Sequence, residues 1–264
     1  MIQRFLNDIK KYYSYAVYSA KAELKAEVAG SYLNWVWWIL EPVCLMLIYT
    51  FIFGVVFDAR EKYFTAFIYL GLTVWTFFKQ NLKNSVKLVK KNKSVVSKVY
   101  LPKFILVESK MFVNGFKMMI SFAIVVFLMV VYRVPLTWNL LYVIPLMICL
   151  VLVTFGMMCI VCHFGVFIED LSNVITIVLR LIFYMTGIMF SIDKRIGPKH
   201  PILAAVLGKC NPMAYIIASL RKSLIYGETP SIKVMLVWIV IGAGLSCLGI
   251  RLIYKNENSY VKVI

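Results

Sequence analysis

The stretch Val134–Ile168, VPLTWNLLYVIPLMICLVLVTFGMMCIVCHFGVFI, runs without a single Asp, Glu, Lys or Arg. An α-helix rises 1.5 Å per residue, so about 20 apolar residues cross the roughly 30 Å hydrocarbon core of a bilayer. A charge-free run of this length predicts a transmembrane helix. Five further segments can supply one. They are Trp35–Phe57, interrupted by Glu41-Pro42; Phe64–Phe78, continuing toward Leu82; Met111–Tyr132, with Lys117; Leu171–Ile192, with Arg180; and Val234–Ile250. The expected fold class is an all-α membrane protein with six transmembrane helices.

Composition agrees. The chain has 264 residues, 62% hydrophobic and 16% charged, with a mean hydropathy of +0.83. Soluble domains average about 45–50% apolar and about 25% charged residues. A soluble enzyme, a disulfide-stapled secreted scaffold, a DNA-binding domain and a disordered chain are excluded. The net charge of +17 therefore reads as positive-inside bias and contact with anionic lipid headgroups, not nucleic acid. The six cysteines lie mostly in apolar runs, where thiols behave as small hydrophobes. Met1–Asn34 has no compact apolar core with a cleavage site, so it does not read as a signal peptide.

Counting Lys and Arg outside the spans orients the chain. With the N-terminus inside, the segments 1–34, 79–110, 165–171 and 251–264 hold 17 basic residues, and the outer segments hold 10. Both termini are expected in the cytoplasm. The outer segment 193–233 is basic for its side, with seven Lys and Arg. In it, Pro201–Leu207 and Pro212–Leu220 are too short to cross, and a Gly208–Pro212 breaker separates them. A re-entrant hairpin and a surface loop both fit this pattern.

Residues 1–34 form a separate element, since Phe5, Ile9, Tyr12, Ala16, Ala20, Leu24 and Val28 recur at three- and four-residue intervals. This is an amphipathic helix suited to the cytoplasmic interface. Residues 35–264 form the six-span unit. In 79–110, nine lysines accompany one acid, Glu108. Val86, Val89, Val95, Val96, Val99, Leu101 and Ile105 punctuate them, suggesting short helices with an apolar face for a cytoplasmic partner.

Catalytic chemistry is not legible. Cys159-Ile160-Val161-Cys162-His163 matches a haem-attachment pattern but lies in an apolar helix, at the end expected inside, so it reads as packing. Gly208-Lys209 lacks the glycine and Ser/Thr of a nucleotide-binding loop. Any ATP must be bound by another chain. Intramembrane ionisable groups are Glu41, Lys117 and Arg180. The first two sit where they can snorkel, whereas Arg180, near mid-span, is the candidate path-lining residue. Tyr49, Phe53 and Phe57 share one helix line, and Tyr184 is deep in span five. An aromatic wall of this kind suits the apolar faces of sugar rings.

Five motifs in order resemble a known family. They are Ser31–Pro42 (SYLNWVWWILEP), Tyr69–Trp75 (YLGLTVW), Val99–Lys103 (VYLPK), Phe167–Leu171 (FIEDL), and Asn211–Tyr215 (NPMAY) with Arg221. Over essentially the whole chain the sequence resembles the ABC-type-2 permeases that export lipid-linked polysaccharides such as O-antigen, teichoic acid and capsule. It departs from their pattern at Ala26 and at Ile192-Asp193. The resemblance implies a transport subunit, not an enzyme, working as a homodimer in the bacterial cytoplasmic membrane. Two copies of an ATP-binding subunit, holding ATP and Mg, would dock on the coupling segment that contains Lys90, Lys91, Lys93, Lys98, Tyr100 and Pro102. It also implies gate helices in 193–233. On this reading Tyr49, Phe53, Phe57, Arg180 and Tyr184 line the path. Arg195, Lys209 and Arg221, with Asn211-Pro212, form an outer gate that attracts the lipid phosphate. An exporter of a small molecule or drug, and a membrane enzyme acting on lipid-linked sugars, are the competing readings.

Overall fold

A computed structural model describes residues 2–30, 32–57 and 61–263, and these contain helices and turns but no strand. Ser31 of the first motif and residues 58–60 of the first outer segment lie outside them. The helices are α1 (Ile2–Ala29), α2 (Trp37–Tyr49, prolonged by a π-helical stretch Thr50–Val56), α3 (Phe64–Val86), α4 (Leu88–Lys91), α5 (Lys93–Val96) and α6 (Lys103–Val131). After these come α7 (Val143–Phe167, led by a 3-10 turn), α8 (Leu171–Met185), α9 (Ile192–Arg195), α10 (Pro201–Cys210), α11 (Pro212–Arg221, with a π-helical tail Lys222–Tyr226) and α12 (Ile232–Val263).

The centre of the bundle is α3. Every residue from Ala66 to Trp75 is buried, with Ala66, Ile68, Tyr69, Leu70 and Val74 fully so. Around it stand α2, α6, α7, α8 and α11. The most extensive helix pair is α7 with α12, and small residues account for its closeness. A Cβ on Gly156 would lie 2.6 Å from the Ser246 nitrogen, and one on Gly249 would lie 2.6 Å from Cβ of Cys159. Glycines let helix backbones approach where lipid gives no hydrophobic drive to pair. The Ser246 hydroxyl then donates to the Leu152 carbonyl at 2.9 Å.

Among the described residues, four helices are long and apolar enough to cross a membrane: Trp37–Val56, Lys103–Val131, Trp138–Phe167 and Ile232–Tyr260. The other two expected spans differ for physical reasons. The apolar run of α3 ends at Phe78, with Lys79, Gln80, Asn81 and Lys83 after it, and within its protein surroundings it carries Thr73, Asn81 and Ser85 buried. The 15 residues of α8 are short of a crossing, and the helix ends in a turn at Gly187, whose φ of +66° favours glycine. The bent pair α10–α11 meets at 94° and qualifies as either a broken span or a re-entrant loop.

The stripe expected on the N-terminal helix faces protein. Phe5 packs beside Phe104 with the rings tilted and their centroids 5.0 Å apart, and Ala16 and Ala20 are buried. Glu23 pairs with Lys110 and Glu27 with Lys117, so acids of α1 bind lysines of α6. Lys117 is thereby neutralised by a neighbouring helix.

Candidate functional site

Asn211 and Pro212 set the bend between α10 and α11. The Asn211 Oδ1 accepts from the Met213 and Ala214 amides at 3.0 and 3.3 Å, an N-cap with Pro at the first helical position. Its amide nitrogen donates to Thr186 Oγ1 at 3.2 Å, which pins the bend to the end of α8.

One helical stretch further on, Arg221 is 4% exposed. Its guanidinium donates to the carbonyls of Phe67 at 3.1 Å, Gly187 at 2.8 Å and Ile188 at 2.6 Å. It lies over the Phe67 ring, 3.4 Å from the centroid. Gly71 makes the room, since a Cβ there would sit 2.6 Å from Arg221 Nη2. Arg221 therefore differs from Arg195 and Lys209, which are exposed. It bolts α11 to α3 and to the turn after α8, and those carbonyls already occupy three of its donors. This contrast between the three cations was not legible in the sequence, where all are simply basic residues of one segment. The one available signal was the glycine of YLGLTVW, four residues after Phe67.

Beside this bolt lies a cavity of about 160 Å³, whose lining includes Thr186, Ser191, Lys209, Ser219, Arg221 and Lys222. Sequence reading missed Glu61. Its Oε2 accepts from Lys194 Nζ at 2.7 Å and from the Tyr226 hydroxyl at 3.1 Å. Lys222 stands 3.9 Å from Asp193.

The path-lining residues divide between two helices. Tyr49, Phe53 and Phe57 run in a line, with ring centroids 6.3 and 5.6 Å apart. Tyr184 stands on α8, which packs on α3. Arg180 and Tyr184, one turn apart, are both exposed, with Val174, Ile177 and Leu181 beside them. The π-helical stretch Thr50–Val56 falls within the aromatic line, and such irregularities recur at functional sites.

At the opposite end, the coupling segment is organised otherwise than the sequence suggested. Val89, Val96, Leu101 and Ile105 are buried in the chain's own core, with Val86, so most of the supposed docking face is consumed by the fold. What stays outside is Lys91, Lys93, Lys98, Val99 and Tyr100, while Pro102 is buried at the start of α6. Lys90 pairs with Glu169 at 3.7 Å. The Tyr100 hydroxyl accepts from Arg4 Nη2 at 2.7 Å and donates to Glu257 at 3.1 Å, and Arg4 also reaches Glu257 at 2.7 Å. The hydrogen bond to Glu257 holds the Arg4 guanidinium above its ordinary range, and burial raises the Tyr100 phenol. Start of α1, coupling loop and end of α12 thus meet at one clasp. In the CxxCH stretch, Cys159 and Cys162 are buried, and His163 Nδ1 is hydrogen-bonded to the Tyr260 hydroxyl at 2.7 Å.

A sequence profile described as ABC-2 type transporter matches residues 17–225, most of the chain. The chain belongs to this family. It is 25% identical over 243 residues to an O-antigen export system permease protein RfbA of Klebsiella pneumoniae, covering 92% of each chain. To the protein of the same description from Myxococcus xanthus it is 22% identical over 244 residues, 89% of this chain and 93% of that one. As an ABC-2 type transporter chain with four long apolar helices, it is a multi-pass membrane protein. The relatives named as permeases fit a transport subunit.

Proposed function

We propose that this chain is the transmembrane subunit of an ATP-driven exporter that moves a lipid-linked polysaccharide, of O-antigen, teichoic acid or capsule type, across the bacterial cytoplasmic membrane. Two copies form the permease, and each rests on one ATP-hydrolysing subunit that supplies ATP and Mg. Each copy has six crossings, counting α3 and α8, with both termini cytoplasmic. The N-terminal helix lies along the inner interface, and α10–α11 form a re-entrant gate at the outer face.

The observation that carries the reading is an aromatic line on α2 together with the exposed face of α8. Tyr49, Phe53 and Phe57 follow one another along α2, and Arg180 and Tyr184 are exposed one turn apart on α8. Aromatic planes stack on the apolar faces of sugar rings, and a mid-depth cation is retained only for a polar cargo or partner. Lys98, Val99 and Tyr100 are the exposed shoulder on which the ATPase pushes. Closure of the ATPase pair shifts this shoulder and separates the two copies along these faces of α2 and α8. At the outer end, Arg195 and Lys209 meet the lipid phosphate.

The test is complementation and co-purification. In a strain deleted for this gene, the wild-type chain restores surface glycan and co-purifies with a soluble ATPase at equal stoichiometry. Restoration of glycan by a chain that purifies without any ATPase would overturn the reading in favour of an enzyme. An ATPase stimulated by small hydrophobic compounds and not by the glycan would favour a small-molecule exporter.

A further inference from the structure

We propose that the outward face of α1 is a binding surface for anionic lipid headgroups, in the leaflet on the coupling-segment side. The proposal deepens the interfacial placement of the N-terminal helix given above. The stripe expected to meet the membrane, with Phe5, Ile9, Ala16 and Ala20, is turned into the protein. A second face carries the charge. At 3.6 residues per turn, Lys10, Ser14, Tyr18, Lys21 and Lys25 fall on one line, with Lys11 beside it. All of them are exposed, Tyr18 at 74%. The acids of the helix are engaged by the chain itself: Asp8 by Tyr254 and Arg4, Glu23 by Lys110, and Glu27 by Lys117. Among the described residues, no acid pairs with any of the four lysines.

Two observations say that the occupant is a lipid surface. Between the protein-facing stripe and the lysine line runs an apolar flank of Leu6, Tyr13, Val17 and Leu24, with Leu6 and Tyr13 exposed. Tyr13 meets Phe112 of α6 edge to face, with ring centroids 6.2 Å apart. Phe112 opens a line on α6 that Phe116, Met119, Phe127 and Val130 continue, all exposed, on a helix long and apolar enough to cross a membrane. The flank of α1 therefore stands at the coupling-side end of a lipid-facing surface. The lysines, in turn, extend from Lys10 to Lys25, about 22 Å along the axis. Charges spread on one straight line suit a plane of headgroups and not a pocket. An apolar flank at the acyl boundary, with lysines and an exposed Tyr18 at the level of the phosphates, is how an interfacial helix lies on an anionic membrane.

A photoreactive benzophenone side chain in place of Tyr18 tests this in the full chain with its partner ATPase. The complex is reconstituted in nanodiscs of phosphatidylcholine with a minority of phosphatidylglycerol, and mass spectrometry identifies what illumination attaches. Expected is lipid at position 18, with phosphatidylglycerol enriched several-fold over its share of the bilayer. Raised salt should erode the enrichment, and K10Q/K11Q/K21Q/K25Q should abolish it. Lipid attached in bulk proportion would overturn the headgroup surface while keeping the helix at the interface. Attachment to the ATPase or to a second permease copy, with no lipid, would overturn both and give the lysine face to a protein partner. If the quadruple variant fails to assemble, the salt series on the unchanged lysines decides, and an enrichment indifferent to salt would overturn the proposal. Export itself is read separately by complementation, so failure here and failure of the exporter reading are distinguishable.

Discussion

A single side chain, Arg221, fixes how α11 is joined to α3 and to the turn after α8. Removing it strands the buried carbonyls of Gly187 and Ile188, each worth about 1–3 kcal/mol when unsatisfied, and takes a second donor from the Phe67 carbonyl. Arg221→Met should therefore lower stability by roughly 3 kcal/mol or more, read as a fall in thermal midpoint of the detergent-purified chain. Arg221→Lys should recover only part of this, because an ammonium lacks the planar fork that reaches carbonyls on separate elements. Equal stability of the lysine variant and wild type would show that charge alone is required. At the bend, Asn211→Ala should cost about 1 kcal/mol by loss of the helix cap. Asn211→Asp keeps the capping oxygen and loses only the donation to Thr186, so it should fall between the two. The sequence marked Asn211, Pro212 and Arg221 together, yet their jobs differ. Local cap chemistry is written in adjacent residues, whereas the bolt depends on carbonyls 154 and 34 positions away.

Among the elements, the α7–α12 pair gives a sharp comparison. Beside Gly242 a Cβ would lie 3.0–3.1 Å from Leu152 and Val153, whereas nothing stands within 4 Å of Gly244. Gly156→Val should cost at least about 1–3 kcal/mol through overpacking. Gly244→Ala should be neutral or slightly stabilising, since alanine favours helix. Gly242→Ala should lie between them in the same thermal assay. Elements facing lipid were legible beforehand because their apolar length is an absolute requirement of the bilayer. The spans expected at Trp35–Phe57, Met111–Tyr132, Val134–Ile168 and Val234–Ile250 correspond to the four long apolar helices. The valines of the coupling segment were misread because periodicity announces an apolar face without saying whose surface covers it. Here Val89, Val96, Leu101 and Ile105 belong to the core of the same chain, together with Phe104 and Leu106.

For the molecule as a whole, the proposed orientation puts Lys98 and Lys199 on opposite sides. Single cysteines at these positions should react with a membrane-impermeant thiol reagent in intact cells at 199 and not at 98. The reverse pattern would invert the orientation. The clasp of Arg4, Tyr100 and Glu257 joins the two ends of the chain through the coupling loop. Glu257→Gln should leave the fold intact and lower export relative to ATP hydrolysis in the assembled complex. Long-range clasps of this kind were invisible in the sequence, where Arg4 and Glu257 lie 253 residues apart. The enclosure of α3 has a further consequence, for biogenesis. A helix with Thr73, Asn81 and Ser85 on its surface is a poor substrate for direct partitioning from the translocon into lipid. It has to wait beside the channel until α6 and α7 have emerged from the ribosome. Nascent chains truncated after residue 90 should therefore leave this segment extractable, and chains that extend through α7 should hold it fast. The order of synthesis, with the most enclosed helix made early and housed late, makes the unfinished protein the stage most exposed to quality-control proteolysis.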